Sequence, residues 1–229
     1  RRFFYNNSFL VADRSEAWVL ETVGKQWARK QGYRTGEIYN LLTIGSEWDE
    51  LSPGVEAFAE MKRLRRGDGR MDFAASFSDP LYTRFSRART RRAGSLKCLG
   101  SSVPATTAIM KAALRHHDDP DYALSKGSVA SVCMHFGGLV GDQTVGSMVA
   151  DLDKSGPITW VTGSSAPCIG LFKPIVLDAL GAGLFGEDQQ EQALSYWLQN
   201  EQISRNLQNN YIEKHEAIER LRGPLEQRF

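Results

Sequence analysis

The chain has 229 residues, 41% of them hydrophobic and 24% charged, with 28 basic against 27 acidic side chains and a formal net charge of +1. This composition is globular and excludes a disordered or fibrous chain, and the near-neutral balance gives no electrostatic ground for nucleic acid or an anionic membrane as partner. No apolar run nears the roughly 20 residues of a membrane span, and residues 1–7 hold no Met start, signal-peptide core or transit segment.

In chain order, SFLVADRSEAWVLET at 8–22 predicts two strands joined by the four-residue polar loop Asp13-Arg14-Ser15-Glu16. Strands this apolar call for sheet neighbours on both sides. GEIYNLLTIG at 36–45, apolar and bounded by glycines, predicts a further strand. Ser52-Pro53 opens a helix with Val55, Phe58, Ala59, Met61 and Leu64 as its buried stripe and Gly67 as its stop. Asp79-Pro80 opens a longer one through Leu81, Phe85, Ala88, Leu96 and Leu99, with a basic outer face, and Pro104 a third through Ile109, Ala112 and Ala113.

Strands return at 128–136 (SVASVCMHF), 144–152 (TVGSMVADL) and 157–163 (PITWVTG), which predict an antiparallel meander. Residues 188–222 predict one long helix with Ile203, Leu207, Tyr211, Ile218 and Leu221 on its stripe, stopped by Gly223-Pro224. Strands, then helices, then strands, then a helix is an α+β order, here a single domain over 1–229.

The chemistry-bearing residues are sparse. Cys98, Cys133 and Cys168 are odd in number and far apart, with no CxxC and no Cys/His spacing suited to zinc, so neither metal nor cofactor is expected and a reducing, cytoplasmic setting is favoured. His116-His117-Asp118-Asp119 reads as a helix end entering a polar loop, because adjacent side chains on a helix diverge from any common ion. A papain-like pairing of a cysteine with His135 or His215 is open, as is the alternative that the cysteines are buried packing residues. GGLVGDQ at 137–143 invites a phosphate loop, but no Gly-Lys-Ser/Thr and no helix start follow, which favours a hairpin connection over an anion- or nucleotide-binding module. GSSAPCIGLFKP at 163–174 is either a tight corner or a turn beside a ligand.

The segments SFLVADRSEAWVLETVGKQWA, YNLLTIGSEWDELSP, MDFAASFSDPLYTRFSRARTRR, SVCMHFGGLVGDQTVGSMVADL and WVTGSSAPCIGLFKP, in this order, resemble the secernin and cysteine dipeptidase family of N-terminal-nucleophile (Ntn) hydrolases. SYWLQNEQISRN near the end is similar to the secernin C-terminal helix. The resemblance implies a four-layer αββα sandwich of antiparallel sheets, here without its N-terminal strands, and a catalytic cysteine upstream of Arg1. In such enzymes the first-residue thiol attacks an amide carbon while its own α-amino group, with pKa about 7.7–8.0, takes the proton, so no histidine base is needed.

By resemblance, Asn40 matches the asparagine that stabilises the oxyanion, and Arg84 in TRFSR is similar to an active-site arginine of bile-salt-cleaving relatives. The bland alternatives are a strand-edge turn for Asn40 and a solvated helix face beside Arg87 and Arg91 for Arg84. The implied protein is a cysteine amidohydrolase of dipeptidase type acting on a small peptide or amide, with this chain its C-terminal part and inactive alone. The competing reading is a secernin-like cytosolic interaction protein with reduced or lost catalysis. The partners implied are the substrate and the N-terminal part of the same protein, with neither nucleic acid nor membrane; self-association is left open.

Overall fold

The computed structural model describes residues 6–32, 41–100, 105–119, 123–152, 156–175 and 185–227. The chain divides into two compact units, Arg1–Ala93 and Gly94–Phe229. Both are mixed α and β, and every strand pair among the described residues is antiparallel, as the α+β reading requires.

In the first unit, β1 (Asn6–Ala12), β2 (Ala17–Val23), β3 (Gln26–Gln31) and β4 (Glu50–Leu51) form one sheet in that order. The β1–β2 loop falls where the sequence places it, since Asp13 Oδ1 accepts from the N–H groups of Ser15 at 2.7 Å and Glu16 at 2.9 Å. β1 is an edge among the described residues, with Phe9, Leu10 and Val11 exposed. β2 alternates, and its inward face carries Val19 and, unexpectedly, Glu21. The Glu21 carboxylate explains why the strand expected at 36–45 is absent over its described part. It accepts from the Thr43 N–H at 2.7 Å and the Ile44 N–H at 3.0 Å, so these donors are satisfied by a side chain in place of a strand partner. Residues 36–40 lie outside the described residues.

Helix α1 (Val55–Met61) buries Val55 and Ala59 as expected but stops early. Arg63 adopts a left-handed φ of 56°, and Leu64 and Met61 (70% exposed) face solvent instead of the core. A short helix unforeseen in the sequence, α2 (Phe73–Phe77), is capped by Asp72 and adds Phe73 and Phe77 to a core of Val19, Ala28, Leu42, Ile44, Val55, Ala59 and Met71. The long helix expected from Asp79 is two, α3 (Pro80–Phe85) and α4 (Ala88–Leu99), broken where Arg87 has φ of 53°; Phe85 is exposed.

In the second unit, α5 (Thr107–Leu114) is capped by Thr106, and β5 (Ser147–Asp151), β6 (Ile158–Thr162) and β7 (Lys173–Ile175) form a meander. Its third strand is β7, because 128–136 is not a strand. That segment folds back on itself through one isolated bridge, Ser128 to His135, flanked by Gly127 (φ 74°) and Gly137 (φ 154°). A Cβ on Gly137 would lie 2.1 Å from the Ser125 carbonyl oxygen, and one on Gly127 2.4 Å from that of Gly137. Gly137→Ala is therefore expected to cost about 3 kcal/mol of stability, measured by urea unfolding. A loss below about 1 kcal/mol would show the crossing to be loose.

The C-terminal helix is also two, α6 (Gln190–Gln208) and α7 (Tyr211–Glu226), parted at Asn209-Asn210. Tyr211 and Ile218 are buried and Leu207 partly so, whereas Ile203 and Leu221 face solvent. α7 runs through Gly223-Pro224, where a stop was expected, because Glu226 is anchored beyond it by Arg115 at 2.6 Å and by the Phe172 N–H at 2.7 Å. No helix among the described residues is long and apolar enough to cross a membrane.

Candidate functional site

The cysteines and histidines are scattered from 98 to 215 in the sequence, yet the second unit gathers four of them. The donor atoms of His117, Cys133, His135 and Cys168 all lie within 4.8 Å of one another.

They arrive from three local structures. α5 ends at Leu114, and His116-His117 leave it into a polar bend, as HHDD suggests. The loop carrying Cys133 and His135 is laced to that bend: the Cys133 N–H donates to the His116 carbonyl at 3.2 Å, and the Asp118 N–H donates to Ser131 Oγ at 3.0 Å. Thr144 fixes its other side, donating to the Met134 carbonyl at 3.0 Å and accepting the Met134 N–H on Oγ1 at 2.9 Å. Cys168 comes from the GSSAPCIG corner after β6, where Ala166 has φ of 62°. Arg115 clamps the corner by donating to the carbonyls of Pro167 at 2.9 Å and Gly170 at 3.0 Å, and Arg222 donates to the carbonyl of Cys168 itself. The segment is a tight, clamped corner.

His135 is oriented from behind by Gln208, whose Oε1 lies 3.1 Å from Nδ1. An amide oxygen only accepts, so Nδ1 carries a ring proton, and Nε2 turns a lone pair to the cluster in the neutral ring and a second donor in the imidazolium. Around that nitrogen stand His117 Nε2 at 3.1 Å, Cys133 Sγ at 3.4 Å and Cys168 Sγ at 3.6 Å. Tyr211 stands edge-on to the His117 ring at 5.4 Å, and Leu124, Ala166 and Ile218 complete an apolar shell.

Burial alone pushes both thiols up. For Cys133 the hydrogen bonds of Cys168, His117 and His135 outweigh it and hold the thiol well below the usual range. Cys168 is pushed well above that range by burial and then by its hydrogen bond to Cys133 and the charge there, against the pull of Arg222 and Arg115.

Two chemistries are open to such a set, nucleophilic attack and ligation. Attack requires a carbonyl carbon within roughly 3–3.5 Å of the sulfur. Cys133 and His135 are 0% exposed and Cys168 is 1%, so the Cys–His pairing imagined from sequence is made in space but closed to substrate. Four nitrogen and sulfur donors, three of them sealed from solvent and His117 half-buried, suit a tetrahedral ion. Sequence reasoning missed this set because its members are distant in the chain; the only local signal was Cys133-Met134-His135.

The residues singled out from sequence fall elsewhere. Asn40 lies outside the described residues. Arg84 is exposed near the end of α3 in the first unit, and belongs to no part of the cluster. Cys98 sits within α4 as expected, its thiol pushed up by burial against the pull of Lys97. GGLVGDQ is a turn, closed by the reciprocal hydrogen bonds of Gly137 and Val140 at 2.9 and 2.8 Å, with no helix start behind it. No family model matches the chain, and no solved structure matches it.

Proposed function

We propose that this chain is the C-terminal part of a cysteine amidohydrolase of dipeptidase type, cleaving a small peptide or amide bond in a reducing, cytoplasmic setting. Its architecture in this reading is the four-layer Ntn-hydrolase sandwich, and its nucleophile is a cysteine outside residues 1–229. The resemblance to secernins and cysteine dipeptidases supplies the reaction class.

The observation that carries the reading is Glu21. This carboxyl group is 1% exposed, and besides the N–H groups of Thr43 and Ile44 it accepts the Thr43 hydroxyl at 2.7 Å. Burial pushes its pKa up, against the lowering by these hydrogen bonds, so it is held at an energetic cost. It links two of the segments that carry the resemblance, SFLVADRSEAWVLET and YNLLTIG. An oxyanion donor must be preorganised, and this carboxylate fixes the backbone of the stretch that follows Asn40. The chain's own cysteines offer no competing nucleophile, since Cys133 and Cys168 are sealed and the Cys98 thiol is pushed up.

The second reading, an interaction protein with lost catalysis, is favoured by one feature. Leu194, Trp197 and Leu198 share one face of α6 and are all exposed. Turnover of a dipeptide panel by the intact protein separates the two. The hydrolase reading expects hydrolysis that thiol alkylation abolishes and that Cys98→Ser leaves unchanged. No turnover on the whole panel removes the hydrolase and leaves the interaction protein.

A further inference from the structure

We propose that His117, Cys133, His135 and Cys168 form a tetrahedral zinc site that staples the loops of the Gly94–Phe229 unit. The spacing of the donors is the first ground. Zinc bonded to sulfur at about 2.3 Å and to nitrogen at about 2.0–2.1 Å places tetrahedral ligands roughly 3.3 Å apart for N and N and roughly 3.6 Å apart for N and S. The separations around His135 Nε2 are 3.1 Å to nitrogen and 3.4 and 3.6 Å to sulfur. These match three of the six edges of one coordination tetrahedron, those that meet at His135, and all four donors lie within 4.8 Å of one another.

The hydrogen-bond count is the second ground. With its proton on Nδ1 toward Gln208, the neutral His135 ring offers a single lone pair on Nε2, and three heteroatoms crowd against it. One lone pair accepts one good hydrogen bond. A cation at the centre resolves the crowding, because every donor then turns its lone pair inward, and Gln208 becomes the outer-shell group that fixes the ring orientation of a ligating histidine.

Charge and architecture agree. Two thiolates and two neutral imidazoles on Zn2+ give a neutral centre, which a largely buried position tolerates far better than an unpaired charge. Loading releases one proton from each thiol that is protonated beforehand, and His135 keeps its Nδ1 proton. An S2N2 tetrahedral set selects zinc or an iron–sulfur iron, and zinc imposes no geometry of its own on a site made by separate loops. Those loops need a staple. Residues 115–146 contain no regular strand or α-helix among the described residues, and the apolar cluster around the site is small, with Leu124, Ala166, Tyr211 and Ile218 buried beside the two cysteines and Ile169 and Leu207 partly buried against them. With all four positions filled by protein and three of the four ligands fully buried, the centre is structural.

The test is metal analysis of the full chain purified under reducing conditions. Elemental mass spectrometry is expected to find one zinc per chain, and Co2+ exchanged into the site should give the d–d bands of a tetrahedral ion with a thiolate-to-cobalt charge-transfer band. The double variant Cys133→Ser with Cys168→Ser should lose both the zinc and the thiolate band, while Arg84→Gln keeps them. If the double variant does not fold, the wild-type protein still decides: its two buried thiols should resist a thiol reagent until a chelator is added. Zinc and cobalt both refused by the reduced wild-type chain, zinc retained by a folded double variant, or a Cys133–Cys168 disulfide in the unreduced intact mass would each overturn the proposal.

Discussion

Asn40→Ala in the intact protein is expected to lower kcat about 100- to 1,000-fold, the loss typical of one oxyanion donor, with little change in KM or melting temperature. A carboxamide N–H is a neutral donor, well placed to strengthen its hydrogen bond as charge builds on the carbonyl oxygen. Its contribution falls on the transition state and not on the bound substrate, so kcat and kcat/KM should fall together. The backbone beyond Asn40 is anchored by Glu21 through Thr43 and Ile44, so removing one side chain leaves its support in place. A turn residue would behave otherwise, costing on the order of 1 kcal/mol of stability and leaving turnover intact. Measuring kcat, KM and melting temperature side by side separates the two, and near-normal kcat would remove Asn40 from the site.

Stripping zinc should produce the other large effect. An ion present at about 10,000 times its dissociation constant stabilises the state that binds it by roughly 5.5 kcal/mol, which is comparable with the whole stability of many domains at about 5–15 kcal/mol. The Gly94–Phe229 unit should therefore lose cooperative melting in chelator and regain it when zinc is restored. Amide exchange localises the loss. Protection should fall around the Ser128–His135 bridge and the 163–170 corner, whereas β2 and β3, backed by the separate core around Phe73 and Ile44, keep theirs. Unchanged exchange in the second unit after complete removal of metal would show that packing alone holds it.

The legible parts of the fold were those whose signals are local. The β1–β2 hairpin declared itself by two apolar runs around Asp13-Arg14-Ser15-Glu16, and Thr144 to Gly163 by alternation on either side of a turn. β3 went unseen because Gln-Trp-Ala-Arg-Lys-Gln has only Ala28 fully buried and so no alternating pattern. The opposite error occurred at 128–136, where β-branched and apolar residues imitate a strand while glycines at 127 and 137 turn the chain back on itself. At 41–45 the strand propensity lost to Glu21, a tertiary partner 22 residues from Thr43 and 23 from Ile44 that no window could see.

The same distance hid the cluster. His117, Cys133, His135 and Cys168 have no ligand spacing because three separate loops, and not one motif, deliver them. His117 joins the cluster and His116 does not, but the expectation of divergence assumed a helix, whereas both lie beyond the end of α5 at Leu114, and it says nothing of partners brought in by the fold. Nothing in composition distinguishes Cys133 as a ligand from Cys133 as packing.

Zinc K-edge X-ray absorption of the loaded full-length protein tests the buried centre most directly. Four ligands are predicted, two sulfurs at about 2.3 Å and two imidazole nitrogens at about 2.0–2.1 Å, with the outer-shell scattering of histidine rings. A first shell of oxygen and nitrogen without sulfur, or one sulfur alone, would contradict the assignment of Cys133 and Cys168 as ligands.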